Sequence, residues 1–198
     1  IDQTGIIAAE FLRHGFLKIG IDHFARAGDA LARAAVSGRL HRNFQGYTDD
    51  AAETLIGLGA SAIGRMPQGF VQNVVATRDY LAIIAKNRLA TAKGYALTGD
   101  DRFRADIIER IMCDMAVDLS GIAISHNRDP DSAIVNRSRL ESLIADGAVV
   151  MEDGRISLSE GAIVELKYSQ AMPGAYSNHG PSLSNWRMKV KTTSSAFI

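Results

Sequence analysis

The stretch Leu40–Gly64, LHRNFQGYTDDAAETLIGLGASAIG, decides how this chain is read. Its first half is polar, with His41, Arg42, Asn43, Gln45 and Thr48 set around Phe44 and Tyr47. Its second half, TLIGLG, reads as a buried strand running into the glycine turn SAIG. Polar residues placed beside a buried strand serve either a ligand or a turn. Gly57 and Gly59 alternate along the strand, and Gly64 lies just beyond. Glycine weakens a strand, so either something approaches the backbone closely or another element packs tightly upon it. The frame is not GxGxxG and no Walker lysine follows, which excludes dinucleotide and P-loop readings.

Upstream, Ile7 with Phe11 and Ala8 with Leu12 stand four residues apart before Gly15, an amphipathic helix with a glycine stop. FLKIGIDHF (16–24) reads as one short strand whose far end presents Asp22 and His23. A second helix, GDALARAAVSGRL, opens with Asp29 as its N-cap. Helix, strand, helix, strand with short joints is the rhythm of a parallel α/β unit. In such units ligand groups gather at the carboxyl ends of the strands, where Asp22, His23 and the SAIG turn fall.

Downstream, TRDYLAIIAKN is a helix and GYALTGDD a loop with N-cap candidates at Asp100 and Asp101. Phe103, Ile107, Ile111 and Met115 then form one apolar stripe of a long helix. No βα alternation returns, which places a domain boundary near residues 91–98. SRLESLIADG is a short helix closed by Gly147, and AVVMEDGRISLS a hairpin turning at Asp153-Gly154. Helix followed by hairpin resembles a winged-helix module. The expected organisation is 1–92, 93–160, and an atypical tail over 161–198.

The chain has 198 residues, 46% hydrophobic and 22% charged, with a formal net charge of +0 and a pI of about 7.2. It can bury a sizeable core and has no global field for nucleic acid or an anionic membrane. A lone cysteine, Cys113, supplies neither an internal disulfide nor a Cys-rich metal site. Within RIMCDM it reads as a small buried hydrophobe. The five histidines show no metal-ligand spacing, and Ser61 lacks a G-x-S-x-G frame. His23 after Asp22 is either a polar pair facing a site or a structural histidine. No apolar run is long enough to span a bilayer, and no secretory signal is visible. The opening IDQTGIIAAE lacks Met and reads as mid-domain helix, the expectation being the back part of a longer, cytoplasmic protein.

At GIDHFA, LHRNFQGYT, LIGLGASAIG and GYALTGDDRFRADIIERIMC, motifs coincide in order and spacing. Together they resemble the C-terminal part of the oxygen-independent coproporphyrinogen III oxidases, radical S-adenosylmethionine enzymes of haem biosynthesis. The resemblance runs from about residue 5 to about 120, more loosely to about 158. It implies the last strands and helices of a partial (β/α) TIM-like barrel followed by a winged-helix-like domain. Related haem chaperones carry Asn-x-x-Tyr-Trp before a Gly-Leu-Gly strand, whereas this chain has the oxidase form, His41 to Tyr47. A haem chaperone and a winged-helix nucleic-acid module remain the alternatives. Against the latter, Glu141 and Asp146 accompany Arg137 and Arg139 on the helix that would read DNA.

In the family, a [4Fe–4S] cluster cleaves S-adenosylmethionine to a radical that takes hydrogen from a propionate of coproporphyrinogen III. Loss of carbon dioxide leaves a vinyl group, and two rounds yield protoporphyrinogen IX. The implied partners are this small molecule and an electron acceptor, with no nucleic acid and no membrane, and the protein is expected to be a monomer. Phe44, Gln45 and Ile63 match family residues that contact S-adenosylmethionine. Asp22, His23, His41 and Arg42 are the expected contacts for the tetracarboxylate substrate. Gln45 and Ile63 are expected to converge on the nucleotide.

Two departures follow. The family's three-cysteine cluster loop is not in this sequence, so its ligands are expected upstream. After SLSEG the family's Arg-Asn and Phe-Asp helix is replaced by AIVELKYSQAMPGAYSNHG, read as a frameshifted end or a lineage-specific tail. Reconstituting this polypeptide alone with iron and sulfide is expected to leave no bound cluster and no oxidase activity; iron and sulfide retained after desalting would show the cysteine argument wrong.

Overall fold

The computed structural model describes residues 3–134, 136–159 and 162; the tail expected over 161–198 lies outside these apart from residue 162. Its architecture is mixed α/β, as expected. In chain order the elements are α1 (Gln3–Arg13), β1 (Phe16–Ile19), β2 (His23–Arg26), α2 (Ala30–Val36), β3 (His41–Asn43) and β4 (Gly46–Thr48). Then come β5 (Ile63–Met66), β6 (Gly69–Asn73), α3 (Thr77–Ile84), β7 (Thr91–Ala96) and α4 (Gly99–Asp114). The chain continues through β8 (Ala116–Asp118), α5 (Leu119–Ser125), a 3₁₀ turn (Pro130–Ala133), α6 (Arg137–Ala145), β9 (Val149–Glu152) and β10 (Arg155–Leu158). The described residues form two compact units, 3–49 with 103–134, 136–159 and 162, and 50–102.

In the first unit, FLKIGIDHF is two strands, not one. Gly20 takes φ +56, a left-handed value that favours glycine, and turns the chain so that Ile19 faces His23 in an antiparallel hairpin. Helix α1 docks on this hairpin through Phe11, whose ring stacks on Phe24 at 4.9 Å and meets Phe16 edge-on at 5.1 Å. Asp29 caps α2 as expected, accepting the Leu31 N–H at 2.8 Å. Ile19, Ala25, Ala32, Leu40, Tyr47 and Cys113 form one core cluster.

The strand pairings among the described residues are all antiparallel, so the expected parallel rhythm does not appear in them. Parallel pairing needs a crossover of about a dozen residues or more, whereas two- or three-residue turns close β1–β2, β3–β4, β5–β6 and β9–β10. Beyond α4, strand β8 pairs with β10, which pairs with β9, giving the order β8-β10-β9. The β9–β10 turn is at Asp153 (φ +49) and Gly154 (φ +77), the positive-φ pair foreseen from the sequence.

In the second unit β5, β6 and β7 make an antiparallel sheet that includes Tyr95 and Ala96, read from sequence as loop. TLIGLG is not a buried strand. Among the described residues its one bridge is Leu55 to Arg65, while Ile56 and Leu58 are 70% and 86% exposed. Nor do Asp100 and Asp101 cap α4. Thr98 does, in a reciprocal box: its Oγ1 accepts the Asp101 N–H at 3.1 Å, and Asp101 Oδ2 accepts the Thr98 N–H at 2.9 Å. The Tyr95 and Thr98 hydroxyls also donate to that oxygen, at 3.1 and 2.8 Å.

The Thr98 amide, ahead of the hydroxyl bonds, holds the Asp101 carboxyl below the usual carboxylate range. Because the folded value is depressed, the stabilisation is fully present above about pH 4 and is lost as pH falls through the folded value. Asp101→Ala is expected to cost about 0.5–2 kcal/mol at neutral pH in urea unfolding. The gap to the unsubstituted chain should narrow towards pH 2; a gap independent of pH would rule out the carboxylate as its source.

Candidate functional site

The β3–β4 hairpin of the first unit carries four of the seven residues singled out from sequence, together with the Tyr47 ring. His41, Arg42 and Asn43 lie on β3 opposite Thr48, Tyr47 and Gly46, and Phe44-Gln45 is the turn between them. Tyr47 is the anchor. Its hydroxyl accepts the Ile21 N–H at 2.9 Å and donates to the Met112 carbonyl of α4 at 2.9 Å. Burial outweighs the Ile21 bond and pushes its phenol above the ordinary value, so it stays a neutral donor at physiological pH. The ring leaves no room for a side chain at Gly20, where a Cβ would strike it.

Two of the expected substrate contacts pack on this ring. The Arg42 guanidinium lies 4.7 Å from its centroid, and His23 meets it edge-on at 5.0 Å. Asp22 Oδ1 takes His23 Nδ1 at 2.8 Å. His41 turns to α4, where its Nδ1 lies 3.0 Å from Glu109 Oε1, the oxygen that also accepts the Arg42 N–H at 3.2 Å. The structure thus brings Asp22, His23 and Arg42 around Tyr47, and sets His41 on Glu109.

Glu109 was not marked from the sequence. Its signal was the Glu109-Arg110 pair on a helix otherwise read for its apolar stripe. Arg110 Nη2 donates to the Leu40 carbonyl at 2.8 Å, and its Nη1 lies 2.9 Å from Asp114. Helix α4 therefore holds the start of β3 by its carbonyl and its amide.

The tip is different in kind. Phe44 is 44% exposed, and Gln45 is exposed, its own N–H donating to Asn43 Oδ1 at 2.8 Å. An exposed carboxamide offers a donor and an acceptor, and the ring beside it an apolar face. Ile63 is half-buried at the start of β5 in the second unit, opposite Gln72.

The glycines around Ile63 serve the backbone. A Cβ on Gly57 would lie 2.9 Å from the Ile63 carbonyl, and one on Gly64 2.9 Å from the Leu55 oxygen. Tight packing of residues 55–59 on β5 accounts for both. Gly59 takes φ +110 and donates its N–H to the Tyr80 hydroxyl at 3.0 Å. Asn73 Nδ2 reaches the carbonyls of Gly57 and Gly59, both at 3.0 Å. Ser61 takes φ +60 and its N–H donates to the Val74 carbonyl.

Cys113 is buried, and burial pushes its thiol up to about 12, which leaves it neutral and unreactive. Among the described residues, no three His, Cys, Asp or Glu side chains gather as a metal site, and no helix is long and apolar enough to cross a membrane.

No protein-family model matches the chain. The oxygen-independent coproporphyrinogen III oxidase of Bradyrhizobium diazoefficiens is 46% identical over 182 residues, 92% of this chain and 40% of that protein. The protein of the same name from Paracoccus denitrificans is 52% identical over 122 residues, 62% of this chain and 27% of its own length. Among solved structures, the coproporphyrinogen III oxidase of Escherichia coli, described as a radical SAM enzyme, superimposes with a TM-score of 0.72. It is 33% identical and the match covers 78% of this chain and 36% of that one. The chain spans about two fifths of the length of the Bradyrhizobium relative and about a quarter of the Paracoccus one. This chain is a homologue of part of the oxygen-independent coproporphyrinogen III oxidases.

Proposed function

We propose that the chain is the C-terminal part of an oxygen-independent coproporphyrinogen III oxidase and contributes to its S-adenosylmethionine site. The observation that carries this reading is the 46% identity over 92% of the chain to a relative of that name. The enzyme so formed is a cytoplasmic monomer that oxidatively decarboxylates two propionates of coproporphyrinogen III to give protoporphyrinogen IX and passes electrons to an acceptor. Residues 1–92 belong to its partial (β/α) radical S-adenosylmethionine barrel, and 93–160 to a winged-helix-like domain. Support for the latter comes from the run α4, β8, α5, α6 and hairpin with sheet order β8-β10-β9. That shape alone does not make a DNA reader, and Arg137 on α6 is paired with Asp131 at 3.2 Å.

The cluster does not fit the residues of this chain. It needs three thiolates, and the one cysteine here is buried and held neutral. The exposed carboxamide and ring of the hairpin tip suit S-adenosylmethionine. Gln45 would take its polar methionine end by the amide, Phe44 would cover an apolar part, and Ile63 would offer adenine an aliphatic surface. When bound beside a reduced cluster, that cofactor supplies the hydrogen-abstracting radical chemistry. The chain's own part is to bind and orient it. Asp22, His23, His41 and Arg42 are proposed to meet the substrate carboxylates; Arg42 alone among them carries a permanent positive charge.

The test is S-adenosylmethionine binding by the full-length protein, measured by equilibrium dialysis on single variants. Gln45→Ala and Ile63→Asp should each raise the Kd by about tenfold or more, some 1.4 kcal/mol. Affinity unchanged in both variants would overturn the assignment.

A further inference from the structure

We infer that Asp22 is a positioning residue that acts through His23, fixing the imidazole so that Nε2 is the atom offered to a substrate carboxylate. The inference rests on the reading of His23 as a substrate contact and divides the work of the Asp22–His23 pair. A carboxylate set against the carboxylates of the substrate would repel them, so Asp22 is ill suited to direct contact. The structure gives it another partner: its Oδ1 lies 2.8 Å from His23 Nδ1.

That bond determines which nitrogen does what. A carboxylate accepts and does not donate, so the ring proton of His23 sits on Nδ1 and Nε2 is left for other work. The ring is also fixed in direction. It meets the Tyr47 ring edge-on at 5.0 Å, with an interplanar angle of 83°. Ile21, the residue before the pair, is held through its N–H by the Tyr47 hydroxyl at 2.9 Å.

The Nε2 edge of the ring lies against Gly46, at the start of β4. A Cβ there would stand 3.1 Å from Nε2 and 3.4 Å from Cε1, so glycine keeps that nitrogen clear. The His23 side chain is 41% exposed. A substrate carboxylate at Nε2 would face Asp22 across the ring. The ring then donates from both nitrogens as an imidazolium, its second proton taken from water. An exposed pair of this kind adds little to stability, so its effect lies in orienting the ring.

The test uses the full-length protein with Asp22→Ala, His23→Ala and the double variant. The readouts are affinity for coproporphyrinogen III, measured without oxygen, and the nitrogen NMR shifts of the neutral His23 ring. In the unsubstituted protein the ring proton should reside on Nδ1, and in Asp22→Ala that preference should be lost. His23→Ala should bind about tenfold more weakly and Asp22→Ala about fivefold. The double variant should bind within about twofold of His23→Ala, because a residue that acts through another has no effect once that other is gone. Thermal midpoints should change little. An unsubstituted ring without the Nδ1 proton, an Asp22→Ala loss that persists beside His23→Ala, or tighter binding in Asp22→Ala would overturn the positioning role. If the unsubstituted protein does not bind coproporphyrinogen III, or His23→Ala binds it equally well, the substrate reading itself falls. The ring tautomer still decides whether Asp22 fixes His23.

Discussion

A single phenol holds the first unit's polar face together. The Tyr47 hydroxyl, buried, joins the amide of Ile21 in the β1–β2 turn to the carbonyl of Met112 on α4. Three segments far apart in sequence thus share one oxygen. A buried hydrogen bond contributes on the order of 1 kcal/mol net, but leaving its partner unsatisfied costs about 1–3 kcal/mol. The bridge therefore matters more for what it forbids than for what it adds. It also dictates Gly20, both by the left-handed turn there and by the ring that fills the space a Cβ would need.

Around that ring the polar residues divide by where they sit on the hairpin. Those on the strands are engaged: His41 and the Arg42 amide by Glu109, the Arg42 guanidinium by the Tyr47 face, and His23 by Asp22. Those in the turn, Phe44 and Gln45, face solvent. A hairpin gripped at its base and exposed at its end is a means of presenting two side chains at low entropic cost, since the backbone below them is already ordered. Cys113 lies in the core beneath it, and its buried thiol is a packing atom.

The second unit reaches order by a different route. Among the described residues, its segment 55–59 makes one bridge, at Leu55, and side chains of Asn73 and Tyr80 reach its backbone. Glycine at 57 and 64 lets the segment lie against β5. The carbonyl and amide groups that a regular ladder would satisfy are met here by an amide and a phenol. Ile63 begins the strand that this packing supports.

The sequence by itself determined α1, α2, α3, α4 and α6, the Asp29 cap, the Asp153-Gly154 turn and the inert setting of Cys113. Each depends on interactions within a few residues, or on a periodicity that local spacing displays. The likeness of HRNFQGYT and its neighbours to the oxidases was legible for the same reason: it lies in contiguous letters. Strand pairing was not. FLKIGIDHF and TLIGLG are short apolar runs with internal glycine, and such runs do not show whether glycine turns the chain or lets backbones touch. Only the tertiary structure decided that Gly20 does the first and Gly57 and Gly64 the second. Glu109 was hidden likewise. Its partners stand 67 and 68 residues away, and no local rule brings a helix carboxylate to a particular strand amide.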